Sequence, residues 1–278
     1  MDRSSRIITL TTDFGTSDVY VGVMKGVILS INPDVKIIDI THSVSPQDIY
    51  EAAFTIRAAY RYFPENTIHV VVVDPGVGSD RQPIVCQTDK AYFVCANNGV
   101  LSRVWQDIET DDTNTPKSVV IENPSYILPQ VSNTFHGRDI FSPVAAHLSL
   151  GVALSQFGTP IQDLVRFPVS TVQTIDNSLT GQIIKIDSFG NLITNISEDM
   201  LTSFLLASGS NADSVDFEIR AGDTSLTKLN SFYAESEPSE PLAIIGSFGL
   251  LEIAINLGNA ETGLGLKRDD RIVVRRFD

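Results

Sequence analysis

Three valines, Val71-Val72-Val73, run directly into Asp74-Pro75-Gly76-Val77-Gly78-Ser79-Asp80-Arg81. Consecutive β-branched residues suit a strand buried on both faces, and a Pro-Gly turn cannot continue it. Two similar runs precede it, Ile7 to Thr11 and Val35 to Ile40. Helix-period segments lie between the three. Val19 to Ile31 follows Asp18, a plausible N-cap, and stops before Asn32-Pro33. Gln47 to Tyr62 carries Ile49, Ala52, Ala53, Ile56 and Ala59 at helical spacing, with Pro64 beyond. The order β-α-β-α-β predicts an α/β domain: a Rossmann-like, mainly parallel sheet with helices on both faces.

Pro83 to Gln87 and Ala91 to Ala96 read as a hairpin turning at Thr88-Asp89-Lys90, and Asn97-Asn98-Gly99 leads into a short helix around Val100 to Trp105. Asp107 to Lys117 is acidic and Thr-rich, the composition of a solvated loop. Arg138 to Leu150 reads as a helix packed through Ile140, Phe141, Val144, Ala145 and Leu148. Gly158 through Pro168 has little periodicity and reads as a linker. Beyond it the texture changes to short strands: Gly181 to Ile186, Leu192 to Ile196, Val215 to Ile219, Leu242 to Ile245, Leu251 to Asn256 and Arg271 to Phe277, with a short helix at Glu198 to Ala207. That pattern predicts a smaller antiparallel β-barrel. The expected division is an N-terminal α/β domain over 1–165 and a β-barrel domain over 175–278.

The formal net charge of -14 disfavours a general nucleic-acid or anionic-membrane surface. No apolar run reaches the roughly 20 residues of a membrane span, and the N-terminus enters a strand pattern without a leader-like segment. Cys86 and Cys95 flank the hairpin without metal-ligand spacing and read as small buried hydrophobes in a reducing cytoplasm.

Ligands of open α/β sheets bind beyond the carboxyl ends of the strands. Asp13, Thr41-His42 and Asp74 fall where the first three strands end, although each is also a natural turn or cap residue. Arg81, seven residues after Asp74, can fold back across the turn to pair with its carboxylate; the bland reading is a surface pair with Asp80. Thr134-Phe135-His136-Gly137-Arg138-Asp139 offers an imidazole at a helix entrance. Asp74, Arg81 and His136 together are able to hold one water and bias it toward hydroxide. His42, His69 and His147 read as structural. A metal-assisted hydrolase competes, but no histidines stand at i, i+4 and no carboxylates cluster beside them, so no metal site is expected. Nucleophile-elbow, P-loop and complete dinucleotide fingerprints are absent.

These residues resemble the S-adenosyl-L-methionine (SAM) hydrolases that form adenosine, also called SAM hydroxide adenosyltransferases, hydrolytic relatives of fluorinase and chlorinase. The matching stretches are Thr11 to Gly15, Ile40 to His42, Asp74 to Ser79 with Arg81, Asn98-Gly99, Phe135 to Asp139, Asp187 to Asn191, Thr194-Asn195 and Ser247 to Gly249. The resemblance implies hydrolysis of SAM to adenosine and L-methionine, with SAM as substrate and no cofactor. It implies a homotrimer with ligand at a subunit interface. It gives Asp74, Arg81 and His136 the positioning of water, and Asp13 the ribose hydroxyls. Asp18 and Asp187 fall near the methionine ammonium, Ser247 near its carboxylate, and Phe189 and Asn191 at adenine, with Phe232 as a further stacking residue. Phe248 stands where the fluorinase pattern has arginine, which leaves carboxylate recognition open. A non-catalytic SAM- or adenosine-binding module on the same fold is the alternative from another class.

Overall fold

A computed structural model describes residues 7–109, 116–207 and 216–277. The chain divides into two compact units, Met1–Pro168 and Val169–Asp278. Among the described residues no helix is long and apolar enough to cross a membrane.

The first unit begins β1 (Ile7–Thr12), α1 (Tyr20–Ile31), β2 (Lys36–Thr41), α2 (Ile49–Ala59) and β3 (Thr67–Val72). It continues with the hairpin β4 (Pro83–Gln87) and β5 (Ala91–Ala96), then α3 (Ser102–Glu109), β6 (Lys117–Val120) and α4 (Ser142–Ser149). Its sheet has the order β2-β1-β3-β5-β4-β6. The first four strands run parallel, and β4 is antiparallel to both its neighbours. The chain leaves β1 to one side for β2 and returns to its other side for β3, so a topological switch lies between β1 and β3. That is where an open α/β sheet presents a crevice.

The valine run behaves as its chemistry requires. Val70 and Val72 enter one apolar cluster with Met24 and Ile28 of α1 and Val144 and Leu148 of α4. Val71 and Val73 enter the other, with Ala52 and Ile56 of α2 and Val104 and Trp105 of α3. Alternate side chains thus serve opposite faces, each buried valine contributing about 1.5–3 kcal/mol. His69, immediately before the valines, is a core residue. Its Nδ1 lies 2.7 Å from Thr9 Oγ1, its ring stacks on Phe93 at 5.3 Å, and burial pushes its pKa down to about 3. Cys86 and Cys95 are buried free thiols, and burial pushes that of Cys86 up to about 12.

Three expectations need correction. Asp18 does not cap α1: the helix starts at Tyr20, the cap position falls on Val19, and no side chain closes it. In the same unit α2 does have a side-chain cap, Asp48 accepting the Glu51 N–H at 2.9 Å. Residues 158–168 do not form a free linker. Thr159 and Ile161 hydrogen-bond the β6 backbone, Val165 N–H reaches Asn97 Oδ1 at 2.8 Å, and Phe167 N–H reaches Ser102 Oγ at 3.1 Å. The acidic stretch is not all loop, since Asp107 belongs to α3 and Lys117 opens β6; residues 110–115 lie outside the described residues.

The second unit holds β7 (Gln173–Ile175), β8 (Ser178–Ile186), β9 (Leu192–Ser197), α5 (Glu198–Leu206), β10 (Phe217–Ala221), β11 (Thr224–Leu226), β12 (Pro241–Ile245), β13 (Leu250–Ile255), α6 (Ala260–Leu264) and β14 (Arg271–Arg276). Its sheet runs β11-β10-β14-β8-β9-β13-β12, with β7 added to β8, and every pairing is antiparallel. Asn230, just past β11, donates its N–H to Ala243 of β12 at 2.7 Å and brings the two path ends together. The result is a nearly closed barrel around Ile183, Leu192, Ile253 and Ile272. Val215 lies outside the described residues.

Candidate active site

Asp74 leaves the end of β3 and meets Arg81 across the Pro75-Gly76 turn. Arg81 Nε donates to Asp74 Oδ1 and Oδ2 at 3.0 and 2.8 Å, and Nη2 lies 2.5 Å from Oδ2. The side chains are only 5% and 9% exposed, so this is a desolvated pair and not a surface one. The guanidinium also lies 5.8 Å over the Phe141 ring. Asn98 secures the strand end: its Nδ2 donates to the Val73 carbonyl at 3.0 Å.

Arg81 Nη2 stands 2.5 Å from His136 Nδ1. A guanidinium has no acceptor, so Nδ1 must accept and the ring proton of the neutral imidazole resides on Nε2. Burial, and then the Arg81 charge, hold the His136 pKa below the ordinary histidine value. Asp74, Asp139 and the Ser132 carbonyl pull the other way without prevailing.

The elements that deliver His136 follow from local sequence. Pro143 has no N–H for the Asp139 carbonyl, which Leu128 N–H takes instead at 2.9 Å. Ser142 reaches back five residues, donating its N–H and its Oγ–H (2.7 Å) to the Gly137 carbonyl. A π-helical turn over Gly137–Phe141 results, with His136 at its head. Beneath it Asp139 is fully buried, forked by Arg138 Nε and Nη2 at 2.6 and 3.1 Å and accepting Ser132 N–H at 2.8 Å. Burial alone would raise this carboxyl, but the bonds from Arg138 and Ser132 hold it below its usual range.

Gly78 lets the two loops touch. Its φ is +79°, and an added Cβ would run into the Asn133 carbonyl oxygen. Only a residue without a side chain permits that approach.

Asp74, His136 and Asp13 line one cleft of about 280 Å³, together with Phe14, Gln47 and Phe135. Asp13 Oδ2 accepts Gln47 N–H at 2.8 Å. Behind it, His42 Nδ1 lies 2.9 Å from Thr12 Oγ1 and Nε2 3.1 Å from Asp39 Oδ1, a structural histidine backing the loop. Phe14, Tyr20 and Phe135 form an aromatic trio in which Phe135 meets both of the others edge-on. Asp18 is exposed and stays outside the cleft lining. Among the described residues no group of three His, Cys, Asp or Glu side chains is placed to hold a metal ion.

In the second unit Asp187, Phe189 and Asn191 share the β8–β9 turn. Asp187 Oδ1 accepts the N–H groups of Phe189 and Asn191, both at 2.9 Å, and Oδ2 accepts Asn191 Nδ2 at 3.0 Å. This leaves Phe189 74% exposed, an aromatic face with no neighbour pressed over most of it. Phe232 is half exposed on the segment before β12, and Ser247 sits in the β12–β13 turn. Next to Phe232, Tyr233 donates its hydroxyl to Glu252 at 2.6 Å; burial first, then the Asp187 charge, push the Glu252 carboxyl up.

Comparison with known proteins gives this geometry a family. Residues 8–158 match the SAM hydroxide adenosyltransferase N-terminal domain, and residues 181–273 its C-terminal domain. The chain belongs to the SAM hydroxide adenosyltransferase family. It is 33% identical over 269 residues to the (R)-S-adenosyl-L-methionine hydrolase of Salinispora tropica, covering 96% of this chain and 97% of that one. It is 34% identical to the protein of the same name from Methanocaldococcus jannaschii, over 96% and 95% of the two chains. The crystal structure of an uncharacterized conserved protein from Thermotoga maritima matches with a TM-score of 0.87 and 36% identity, covering 97% of this chain and all of the other.

Sequence reasoning assigns no role to Asn98, Ser132, Asn133 or Asp139. Asn98-Gly99 and the Arg138-Asp139 pair lie within stretches that carry the family resemblance, and that is the one signal pointing to them. Their contacts run from side chain to backbone between distant loops, which leaves no periodic trace.

Proposed function

We propose that this protein hydrolyses S-adenosyl-L-methionine to adenosine and L-methionine. The observation that supports it best is the desolvated Asp74–Arg81 pair joined to His136, with Asp74 and His136 lining a cleft beside Asp13. Asp74 and Arg81 orient a water toward the ribose C5′, and neutral His136 holds the guanidinium in place through Nδ1. The water oxygen bonds to C5′ as the C5′–S bond breaks, and its electron pair passes to sulfur. The departing group is a neutral thioether, so it needs no acid; the water proton passes by way of Asp74 to solvent. Preorganised charge in a nearly dry cluster acts more strongly than the same groups in water.

Asp13, with one oxygen held by Gln47 N–H, is the acceptor for the ribose hydroxyls. Phe189 and Asn191, with Phe232, serve the adenine. Asp18 and Asp187 serve the ammonium and Ser247 the carboxylate of the methionine part. We assign the working form as a cytoplasmic homotrimer with ligand at a subunit interface, acting without metal or other cofactor.

The relatives' name specifies an R centre; with L-methionine and adenosyl fixed, the remaining stereocentre is the sulfonium. The test incubates the protein with each sulfonium epimer of SAM and follows adenosine and methionine by chromatography. Adenosine from either epimer supports the proposal. Tight binding in calorimetry with no adenosine would leave a binding module instead.

A further inference from the structure

We infer that Asp139 is a positioning residue for His136, acting through Ser132 as a buried anionic anchor for the loop that carries the imidazole. The inference rests on the reading of His136 as part of the water-orienting set, and it goes beyond that set. A carboxylate with no exposed surface is expensive unless fully bonded, and here each bond leads back to the histidine. Oδ2 accepts Ser132 N–H, and Ser132 Oγ accepts Phe135 N–H at 3.1 Å, immediately before His136. The Ser132 carbonyl in turn interacts with His136 itself. Arg138 closes the fork on Oδ1 and Oδ2 while its own guanidinium lies 5.2 Å over the Phe135 ring. Asp139 and Arg138 N–H groups both bond the Phe135 carbonyl at 3.1 Å. The loop 132–136 is thereby tied at Ser132 to the carboxylate and at Phe135 to the backbone N–H groups of Arg138 and Asp139 and the Arg138 guanidinium.

The anchor also carries charge. The groups facing His136 are Arg81 and Asp74 from the β3 side and Asp139 from its own turn, with Arg138 paired to Asp139 and Asp13 across the cleft. Asp139 is one of the two carboxylates that work against the depression caused by burial and Arg81. Removing its charge without changing its shape therefore moves His136 titration to lower pH, and removing its bonds lets the imidazole drift from Arg81.

The chain has four histidines, so imidazole carbon-13 NMR resolves them individually. Asp139→Asn is expected to titrate His136 at lower pH than the parent and to shift the acidic limb of kcat the same way, with KM for SAM unchanged within about twofold. Ser132→Ala, at a half-buried loop position, keeps the charge but frees Phe135 N–H. Loosening the imidazole from Arg81 is expected to leave the titration at or above that of the parent, never below it, while kcat falls roughly tenfold or more. The NMR shift reads without turnover, so the absence of SAM hydrolysis would not obscure it. Parent-like His136 titration in folded Asp139→Asn would overturn the inference. If that variant does not fold, a Ser132→Ala protein with parent kcat would overturn it, and a selective kcat loss would support it.

Discussion

Replacing Gly78 by alanine tests whether the contact between two loops assembles the site. At φ +79° an alanine costs about 1–2 kcal/mol relative to glycine, because its Cβ crowds the following carbonyl. The new methyl would also sit 3.2 Å from the Asn133 carbonyl carbon and closer still to its oxygen. Restoring ordinary contact, about 3.5 Å, requires the segment to withdraw by roughly an ångström. Asn133 stands three residues before His136 on a short tethered loop, so the displacement reaches the 2.5 Å contact with Arg81. A misplacement of that size costs about a hundredfold in rate. Gly151→Ala is the control: φ is +91°, but nothing lies within 4 Å of the added methyl. Both variants should melt lower by similar amounts, roughly 2–8 °C from the backbone term. Only Gly78→Ala should lose kcat, measured as adenosine release under saturating SAM. A Gly78→Ala enzyme with parent kcat and a Gly151-like melting shift would refute the idea that loop contact sets the catalytic geometry.

Asp74→Asn should lower kcat by roughly 10² to 10⁴ with SAM affinity nearly unchanged, whereas Asp13→Ala should weaken SAM and adenosine together, both read by calorimetry and steady-state kinetics. Equal affinity losses would contradict the division of roles. In oxygen-18 water with excess chloride or fluoride, mass spectrometry should find labelled adenosine and no 5′-halo product, since Asp74 beside the reacting centre repels a halide. Turnover should survive exhaustive chelation, because Arg81 beside the water repels a divalent cation; loss rescued by one metal would count against the scheme. His69, neutral in the fold with a pKa of about 3, protonates first in the unfolded chain as pH falls below about 6.5. Its contribution is intact above that value and lost on acidification at about 1.4 kcal/mol per unit. Urea melts at pH 7 and 4.5 should therefore show the parent losing roughly 2–3 kcal/mol more than His69→Phe does.

Much of the α/β unit was legible because its central strands, β1, β3 and β5, are buried on both faces. Ile8, Val70 and Val72 announce themselves by composition, and the turns that end those strands carry the candidate site residues. The pairing of Asp74 with Arg81 was readable from seven-residue spacing and a Pro-Gly turn. Short edge elements were not readable: β7 and β11 have three residues each and β6 has four, too few to show a period. Asp18 misled because a carboxylate before an apolar helix looks like a cap, yet the chain begins its helical turn one residue later. Residues 158–168 looked like a linker because their hydrogen bonds go to distant backbone groups and to the Asn97 and Ser102 side chains, which dictate no side-chain pattern. The anchor at Asp139 was hidden for a similar reason, since burying a carboxylate is a tertiary event.

The π-helical turn ahead of α4 works as a phase shift. Val144 and Leu148 fix the rotation of that helix against the sheet, and each residue of an α-helix advances the chain by about 100°. One surplus residue in the turn therefore uncouples the direction of His136 from the direction of the core-facing side chains. Deleting a single residue between Gly137 and Phe141 would regularise the helix and leave its packing face untouched. The imidazole would then swing by about a third of a turn, away from Arg81. Within this fold a one-residue change in length at that point would silence the proposed water site while Asp74, Arg81 and His136 all remain in the sequence.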